Sequence, residues 1–331
     1  MTATMPEAVE TLARRHRLHP LEALPWLLAL AAYFVFPSYL ALGAQILIMT
    51  LFALSLDLIL GFAGIVTLGQ AAFFGAGAYA AGLLGAHGWS EPLSGLVVAA
   101  AAAGTLGAVT GFIVLRTEGL TLLMLTLMIS VMLQEAANKA GSITGGADGL
   151  QGIAIAPLLG HFRFDIFGRT AYLYSLAVLF LGWLLVRAIV HSPFGRSLTG
   201  IRENVARMHA IGAPVRRRQI IAYTIAAALS GVAGALLTQT TQFVALEVLG
   251  FGRSGSVLIM LILGGVGRLY GAFLGAPLYM LAQDRLAELD PAYWYLPIGL
   301  LLIAVVMLAR GGLLGLCDRA LALARRRGSR S

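Results

Sequence analysis

The sequence predicts an all-α integral membrane protein of about ten transmembrane helices. Hydrophobic residues make up 59% of the 331-residue chain and charged residues only 11%, whereas soluble domains carry about 25% charged residues. Apolar runs recur along the chain, and several approach the roughly 20 residues that cross about 30 Å of hydrocarbon. Basic residues fill the gaps between these runs. A surface with so few charges must face lipid rather than water.

The apolar runs are bounded by charged residues, proline or glycine, which gives the order of the predicted spans. The eighth and ninth runs are short, which leaves open that one of them is broken or re-entrant. The ten predicted spans are approximately Leu24–Leu40, Gly43–Leu60, Gly64–Ala86, Leu93–Leu115, Leu120–Ala137, Ala171–Val190, Ile220–Thr240, Ser254–Val266, Leu269–Gln283 and Trp294–Ala309.

The distribution of arginine orients the spans. With the N-terminus in the cytoplasm and ten crossings, 18 of the 23 basic residues fall inside and 5 outside, as the positive-inside rule requires. This predicts a multi-pass membrane protein with both termini cytoplasmic. The predicted parts are a tail over 1–22, a membrane domain over 23–310 and a basic tail over 311–331. The net charge of +8 thus reflects topology rather than a nucleic-acid partner.

Two loops exceed the length of a turn, an outer loop over 138–170 and a basic cytoplasmic loop over 191–218. Five spans lie on each side of the break between halves, so the halves would be oppositely oriented. Each half carries a glycine-dense segment, Gly61–Gly82 in the first and Gly264–Gly275 in the second. The sequence therefore suggests a possible inverted repeat.

The first glycine-dense segment allows two interpretations. Glycine permits close helix packing in lipid, and it also occurs in unwound segments that line a translocation path. The amide of Gln70 favours the second, since a bare amide facing lipid is costly. Asp57, one turn earlier, is either a structural partner of an arginine or backbone amide or a proton-relay residue. The translocation-path candidates are Asp57, Gly64, Gly69, Gln70, Gly75 and Gly77.

The cytoplasmic loop predicts a short amphipathic helix from about Gly200 to Ile211. Gly212 suits a left-handed position after the helix, and Pro214 prevents its continuation. Glu203 and Arg207 are four residues apart and would pair on the helix. The apolar face would contain Ile201, Val205, Met208 and Ile211. Such a helix either lies on the membrane surface or docks into a groove of a cytoplasmic partner.

No motif for catalysis or metal binding is present in the sequence. Lys139 is the only lysine and is followed by Ala140, so no phosphate-binding P-loop exists. Cys317 is the only cysteine, and His209 has no paired ligand nearby. The chain is therefore predicted to be no enzyme, with no catalytic residue, no metal and no cofactor of its own. If ATP drives transport, another chain hydrolyses it.

Several segments together resemble the LivM-type permeases of branched-chain amino acid ABC transporters. The resemblance covers about Leu40 to Leu308. Its pieces are Leu54–Gly64, Leu68–Tyr79, Thr144–Leu150, Phe194–Gly212 and Gly264–Gly275.

This resemblance implies a type II-like ABC importer permease of the bacterial inner membrane. Such a permease works with a second related membrane subunit, two ATP-binding subunits that hold ATP and Mg, and a periplasmic substrate-binding protein. By the same likeness, residues of the cytoplasmic loop would couple to the ATPases, and residues of the outer loop would face the binding protein. The coupling candidates are Arg196, Arg202, Glu203, Asn204, Arg207 and Gly212, and the outer-loop candidates are Thr144, Gly145, Gly146 and Asp148.

The expected function is therefore import of branched-chain or related small amino acids. A urea or short-amide permease of the same shape is an alternative. An ion-coupled secondary transporter is a further alternative, and it would depend on Asp57 as an intramembrane acidic residue.

Overall fold

The computed structural model describes residues 23–157, 162, 168–289, 295–308 and 311–315. The predicted tail over 1–22, residues 316–331 of the basic tail, and part of the outer loop lie outside the described residues. The predicted ends of the last span, Trp294 and Ala309, also lie outside them. The described residues fold into helices joined mostly by short connections, which confirms the all-α prediction.

Twelve helices of six residues or more organise the described part of the chain. We number them in chain order. They are α1 Leu24–Val35, α2 Pro37–Phe62, α3 Gln70–Ala86, α4 Pro92–Val114, α5 Gly119–Lys139, α6 Arg169–His191, α7 Pro193–Glu203, α8 Val205–Ala210, α9 Val215–Thr241, α10 Phe251–Gly264, α11 Gly271–Leu289 and α12 Tyr295–Leu308.

Five of these helices are long and apolar enough to cross a membrane, namely α2, α4, α5, α6 and α9. Two shorter apolar helices, α1 and α10, have 12 and 14 residues. The helical architecture and the five apolar spans therefore agree with the predicted fold class. The number of ten spans stays a prediction.

Several predicted span boundaries are wrong. The second, seventh and ninth spans fall short of their helices, since α2 begins at Pro37, α9 begins at Val215 and α11 ends at Leu289. Two other spans extend beyond their helices. The first span does not continue to Leu40, because α1 ends at Val35 and Phe36 leaves the helical conformation before Pro37. A residue that precedes proline is disfavoured in the helical region. The third span does not begin at Gly64, since α3 starts only at Gln70 and the residues between are non-helical.

Helix α9 lies at the centre of the bundle and packs against α2, α3 and α4. The helices approach closely where glycines meet backbone. A Cβ atom on Gly77 would collide with the carbonyl oxygen of Gly231, and one on Gly231 would lie 2.7 Å from the carbonyl oxygen of Ala99. Small residues let helices pack in lipid, where no hydrophobic force brings them together. This supports the packing interpretation for part of the glycine-dense segment.

Candidate functional site

Two non-helical connections meet beside the end of α2. Residues 63–69 separate α2 from α3, and residues 265–270 separate α10 from α11. Gly64 has φ +72° and Gly267 has φ +76°, which favour glycine. A Cβ atom on Gly61 would lie 2.5 Å from the nitrogen of Gly267. We call the contact between Gly61–Gly64 and Gly264–Gly267 the glycine junction.

This contact bears on the possible inverted repeat. An inversion would place equivalent segments at opposite ends of the bundle. The glycine-dense segments begin side by side at the same end, where Gly61 meets Gly267. They therefore give the inverted repeat no support, and it stays a prediction.

Asp57 is fully buried and faces the glycine junction. Its Oδ1 atom accepts a hydrogen bond from the backbone N–H of Gly267 at 2.7 Å. Its Oδ2 atom has no hydrogen-bond partner among the described residues. A buried carboxylate is costly unless it is paired, and the Arg202 guanidinium lies close enough for Coulombic attraction. The contacts agree with the interpretation of Asp57 as a partner of a backbone amide and an arginine.

Arg202 links the cytoplasmic loop to both non-helical connections. It lies near the end of α7, and its Nη1 atom donates to the carbonyl oxygen of Gly61. Its side chain also fills the space beside Gly64 and Gly267, where added Cβ atoms would lie 2.7 Å and 2.8 Å from it. Movement of α7 must therefore displace the glycine junction or break these contacts.

The cytoplasmic loop contains two helices instead of the single predicted helix from Gly200 to Ile211. Helix α7 ends at Glu203, and Asn204 is extended with φ −160° and ψ 101°. Asn204 Oδ1 accepts from the backbone N–H of Arg207 at 2.9 Å and so caps α8. The break exists because a capping side chain satisfies an N–H that a continuous helix would pair with a carbonyl.

The break removes two features of the predicted helix. Glu203 and Arg207 no longer lie one turn apart on a single helix, so the geometry for their predicted pair is absent. The predicted apolar face is also divided, since Ile201 is buried while Ile211 is 70% exposed. The predicted left-handed Gly212 is confirmed, with φ +77°.

The tip of the loop, residues 203–212, is largely exposed. It includes the coupling candidates Glu203, Asn204, Arg207 and Gly212. Arg196 is exposed at the other end of α7. The loop thus has an anchored part, around Arg202, and a protruding part that is available to a partner.

Gln70 lies inside the bundle in a polar cluster. Its side-chain Nε2 atom donates to Ser55 Oγ at 3.0 Å, and its backbone carbonyl oxygen accepts from Ser230 Oγ at 3.3 Å. The next backbone N–H, that of Ala71, donates to Ser254 Oγ at 2.9 Å. The amide is thus sheltered from lipid, and its Oε1 atom has no partner among the described residues.

The remaining path candidates differ in their surroundings. Gly64 is exposed, whereas Gly69, Gly75 and Gly77 are buried. A Cβ on Gly69 would lie 2.5 Å from the carbonyl oxygen of Thr126. The backbone at Gly69, Gly75 and Gly77 therefore has neighbours that leave no room for a side chain.

The outer-loop candidates form a compact turn near the C-terminal end of α3, at the other end of this helix from Gln70. Thr144 is buried, and its Oγ1 donates to the carbonyl oxygens of Ala137 and Ala140. It also accepts from the N–H of Gly146 at 3.3 Å. Asp148 is exposed, while Gly146 is buried and Gly145 half-buried.

A single antiparallel bridge attaches this turn to the second half of the chain. The backbone N–H of Leu150 donates to Val244 at 2.9 Å, and that of Val244 donates back at 3.1 Å. The turn is therefore held in one position relative to the end of α9, and Asp148 is the candidate side chain that it leaves exposed.

The family model of the permease component of branched-chain amino acid transport systems matches residues 38–306. The chain belongs to this family. The match extends from the start of α2 to near the end of α12, so it includes every candidate site described above. The family and the apolar helices together indicate a multi-pass inner membrane protein.

Curated relatives of this permease agree with the family. The high-affinity branched-chain amino acid transport system permease protein LivM of Escherichia coli is 29% identical over 294 residues, which is 81% of this chain and 68% of that protein. LivM of Salmonella typhimurium is 28% identical and covers 82% of this chain and 69% of its own length. The autoinducer 2 import system permease protein LsrC of Klebsiella pneumoniae is 34% identical over 38% of each chain. Solved structures gave no match.

Sequence reasoning missed several polar residues of the permease interior, namely Ser55, Ser230, Ser254 and Thr126. Each lies within an apolar helix and contacts the segment around Gln70. The feature that could have identified them is a hydroxyl side chain inside an apolar run. Helices in lipid use such hydroxyls for interhelical hydrogen bonds. Among the described residues, no group of three His, Cys, Asp or Glu side chains is placed to hold a metal.

Proposed function

We propose that this chain is the membrane-spanning permease subunit of an ABC importer that carries branched-chain amino acids across the inner membrane. The single observation that carries the proposal is the family match over residues 38–306. The LivM relatives align over about four fifths of the chain, whereas the LsrC alignment covers less than half of it. The substrate class named for LivM is therefore favoured over that named for LsrC.

For the topology, we propose ten crossings with both termini in the cytoplasm. The tail over 1–22, the membrane domain over 23–310 and the basic tail over 311–331 follow from that topology. The excess of arginine in alternate connections supports it. The five long helices and the shorter apolar helices α1 and α10 provide seven candidates for the crossings. Helices α3, α11 and α12, which overlap the predicted third, ninth and tenth spans, would provide the other three.

For the partners, we propose two ATP-binding subunits, a second related permease subunit and a periplasmic substrate-binding protein. ATP and Mg would be bound by the ATP-binding subunits, since this sequence has no P-loop. Ligand affinity would reside mainly in the binding protein, and Asp148 would face it.

For the coupling between the subunits, we propose that the tip of the cytoplasmic loop docks on an ATP-binding subunit. Glu203, Asn204, Arg207 and Gly212 are exposed there, and Ile211 offers an apolar contact. Arg202 would then pass movement of the loop to the glycine junction through its contact with Gly61. Arg196 would contribute from the other end of α7.

For the translocation path, we propose the non-helical segment from Gly64 to Gly69, together with Gln70 at the start of α3. Its backbone is unwound beside a buried polar cluster, and such backbone is tolerated at membrane depth only beside protein or water. Asp57 and the buried glycines Gly69, Gly75 and Gly77 would shape this path by holding the helices close together.

Reconstitution tests the proposed function. Proteoliposomes that contain this chain, its membrane partner and the ATP-binding subunits should accumulate radiolabelled leucine when binding protein and ATP are supplied. Unlabelled isoleucine or valine should compete, and urea should not. Leucine uptake without ATP would contradict the proposal and favour an ion-coupled transporter. Competition by urea but not valine would favour the urea or short-amide permease.

Substitution of Glu203 tests the docking of the loop tip. Glu203→Gln should reduce co-purification of the ATP-binding subunit and ATP-driven uptake without lowering the thermal stability of the chain. Glu91→Gln, another exposed carboxylate, at the start of α4, provides the matched control. Equal co-purification and equal uptake in both variants would exclude a docking role for Glu203.

A further inference from the structure

A basic groove lies where α6 ends and α7 begins. It encloses about 460 Å³ and opens to the surface of the bundle. Its lining residues are Leu184, Arg187, Ala188, His191, Ser192, Pro193 and Arg196.

The charge of the groove is of one sign. Arg187 and Arg196 are cationic, His191 adds a titratable imidazole, and no lining residue is acidic. The α7 N-terminus, with its Ser192 cap, adds partial positive charge. The Arg187 guanidinium lies over the Trp183 ring, 5.2 Å from its centroid. The groove therefore suits a phosphate group.

The groove is continuous with an apolar stripe along α6. Leu173, Phe180, Leu181 and Leu184 are each 40% or more exposed. These residues and Ala177 recur at helical spacing on the face that also carries Arg187 and His191. An acyl chain lying along this stripe would bring its headgroup to the groove.

We propose that the basic groove binds the phosphate headgroup of an anionic phospholipid, with an acyl chain along the apolar stripe of α6. A cationic site at the end of an apolar face is the arrangement that such a lipid requires. A free phosphate would use the same cations but would gain nothing from the stripe. The occupied groove would hold the start of α7 at the headgroup level, beside the cytoplasmic loop.

Lipid binding to the purified chain tests this inference. Wild type, Arg196→Gln and the double variant Arg187→Gln/Arg196→Gln are titrated with phosphatidylglycerol in neutral detergent, and bound lipid is counted by native mass spectrometry. One arginine near an anionic headgroup contributes about 1 kcal/mol, so the affinity should fall roughly fivefold in the single variant and roughly 25-fold in the double variant.

A charge-matched control separates the groove from general surface charge. Arg116→Gln/Arg217→Gln removes two exposed arginines elsewhere at the same end of the bundle and should bind phosphatidylglycerol as wild type does. Phosphatidylcholine should bind equally weakly to all variants. The single variant Arg196→Gln keeps the test decisive if the double variant does not fold, because Arg196 is exposed.

Three results would overturn the inference. The first is equal phosphatidylglycerol binding by wild type and Arg196→Gln. The second is complete displacement of the lipid from wild type by excess inorganic phosphate, which would identify a free-phosphate site. The third is loss of ATP-binding subunit from the groove variants with lipid binding unchanged, which would identify the groove as a protein interface.

Discussion

Replacing Gly61 by alanine should destabilise the chain strongly, because the glycine junction has no room for a methyl group. The added Cβ would lie 2.5 Å from the nitrogen and 2.7 Å from the Cα of Gly267, and closer still to Asp57 Oδ1. Two of these neighbours are backbone atoms, so the two non-helical connections would have to move apart to remove the collision.

The cost of Gly61→Ala follows from two effects. Overpacking of a close contact costs about 1–3 kcal/mol. Separation of the two connections would also strain or break the hydrogen bond from the Gly267 N–H to Asp57, and a hydrogen bond to a charged group contributes about 1.5–3 kcal/mol. The free energy of unfolding should therefore fall by about 2.5–6 kcal/mol when both effects apply.

Reversible SDS titration of the purified chain measures this change, with Gly255→Ala as the matched control. Gly255 lies within α10, has ordinary helical φ and has no atom within 4 Å of an added Cβ. Alanine there should be neutral or stabilise by up to about 1 kcal/mol. Equal unfolding free energies for the two variants would refute the close contact at the glycine junction.

Three further predictions concern the loops. Asn204→Ala should remove the α8 cap, cost about 0.5–2 kcal/mol locally and speed amide exchange over Val205–Ala210, whereas Asn204→Ser should not; identical exchange would contradict capping. Thr144→Val should cost about 1–3 kcal/mol by leaving buried groups such as the Gly146 N–H unpaired, while Thr144→Ser should unfold like wild type; equal stability of Thr144→Val would argue against this role. Asp148→Asn should leave stability unchanged but raise the binding-protein concentration needed for half-maximal uptake, and an unchanged uptake curve would exclude a contact there.

The sequence was sufficient for the features that depend on composition and local chemistry. Low charge and long apolar runs predicted a helical membrane protein, and the left-handed Gly212 followed from its position after a helical segment. Helix α9 contains the whole predicted seventh span because its apolar run is long, but the helix begins five residues earlier, at Val215, and includes Arg216–Arg218. These features require no knowledge of distant contacts.

Features that depend on contacts across the chain could not be predicted in this way. The bond from Gly267 to Asp57 joins residues 210 positions apart, and no local pattern links them. The break at Asn204 arose from competition between a cap and a continuous helix, and helix periodicity alone favoured continuity. Arg202 was predicted as a residue that couples to the ATPases, and its contact with Gly61 emerged only from the fold.

The most direct test of the coupling proposal is the amount of leucine taken up per ATP hydrolysed by the reconstituted transporter with Arg202→Ala. Arg217→Ala, an exposed arginine at the start of α9, provides the control. If Arg202 passes loop movement to the glycine junction, Arg202→Ala should keep ATP hydrolysis and lose most uptake, while the control keeps both. An unchanged uptake per ATP in Arg202→Ala would contradict this coupling role.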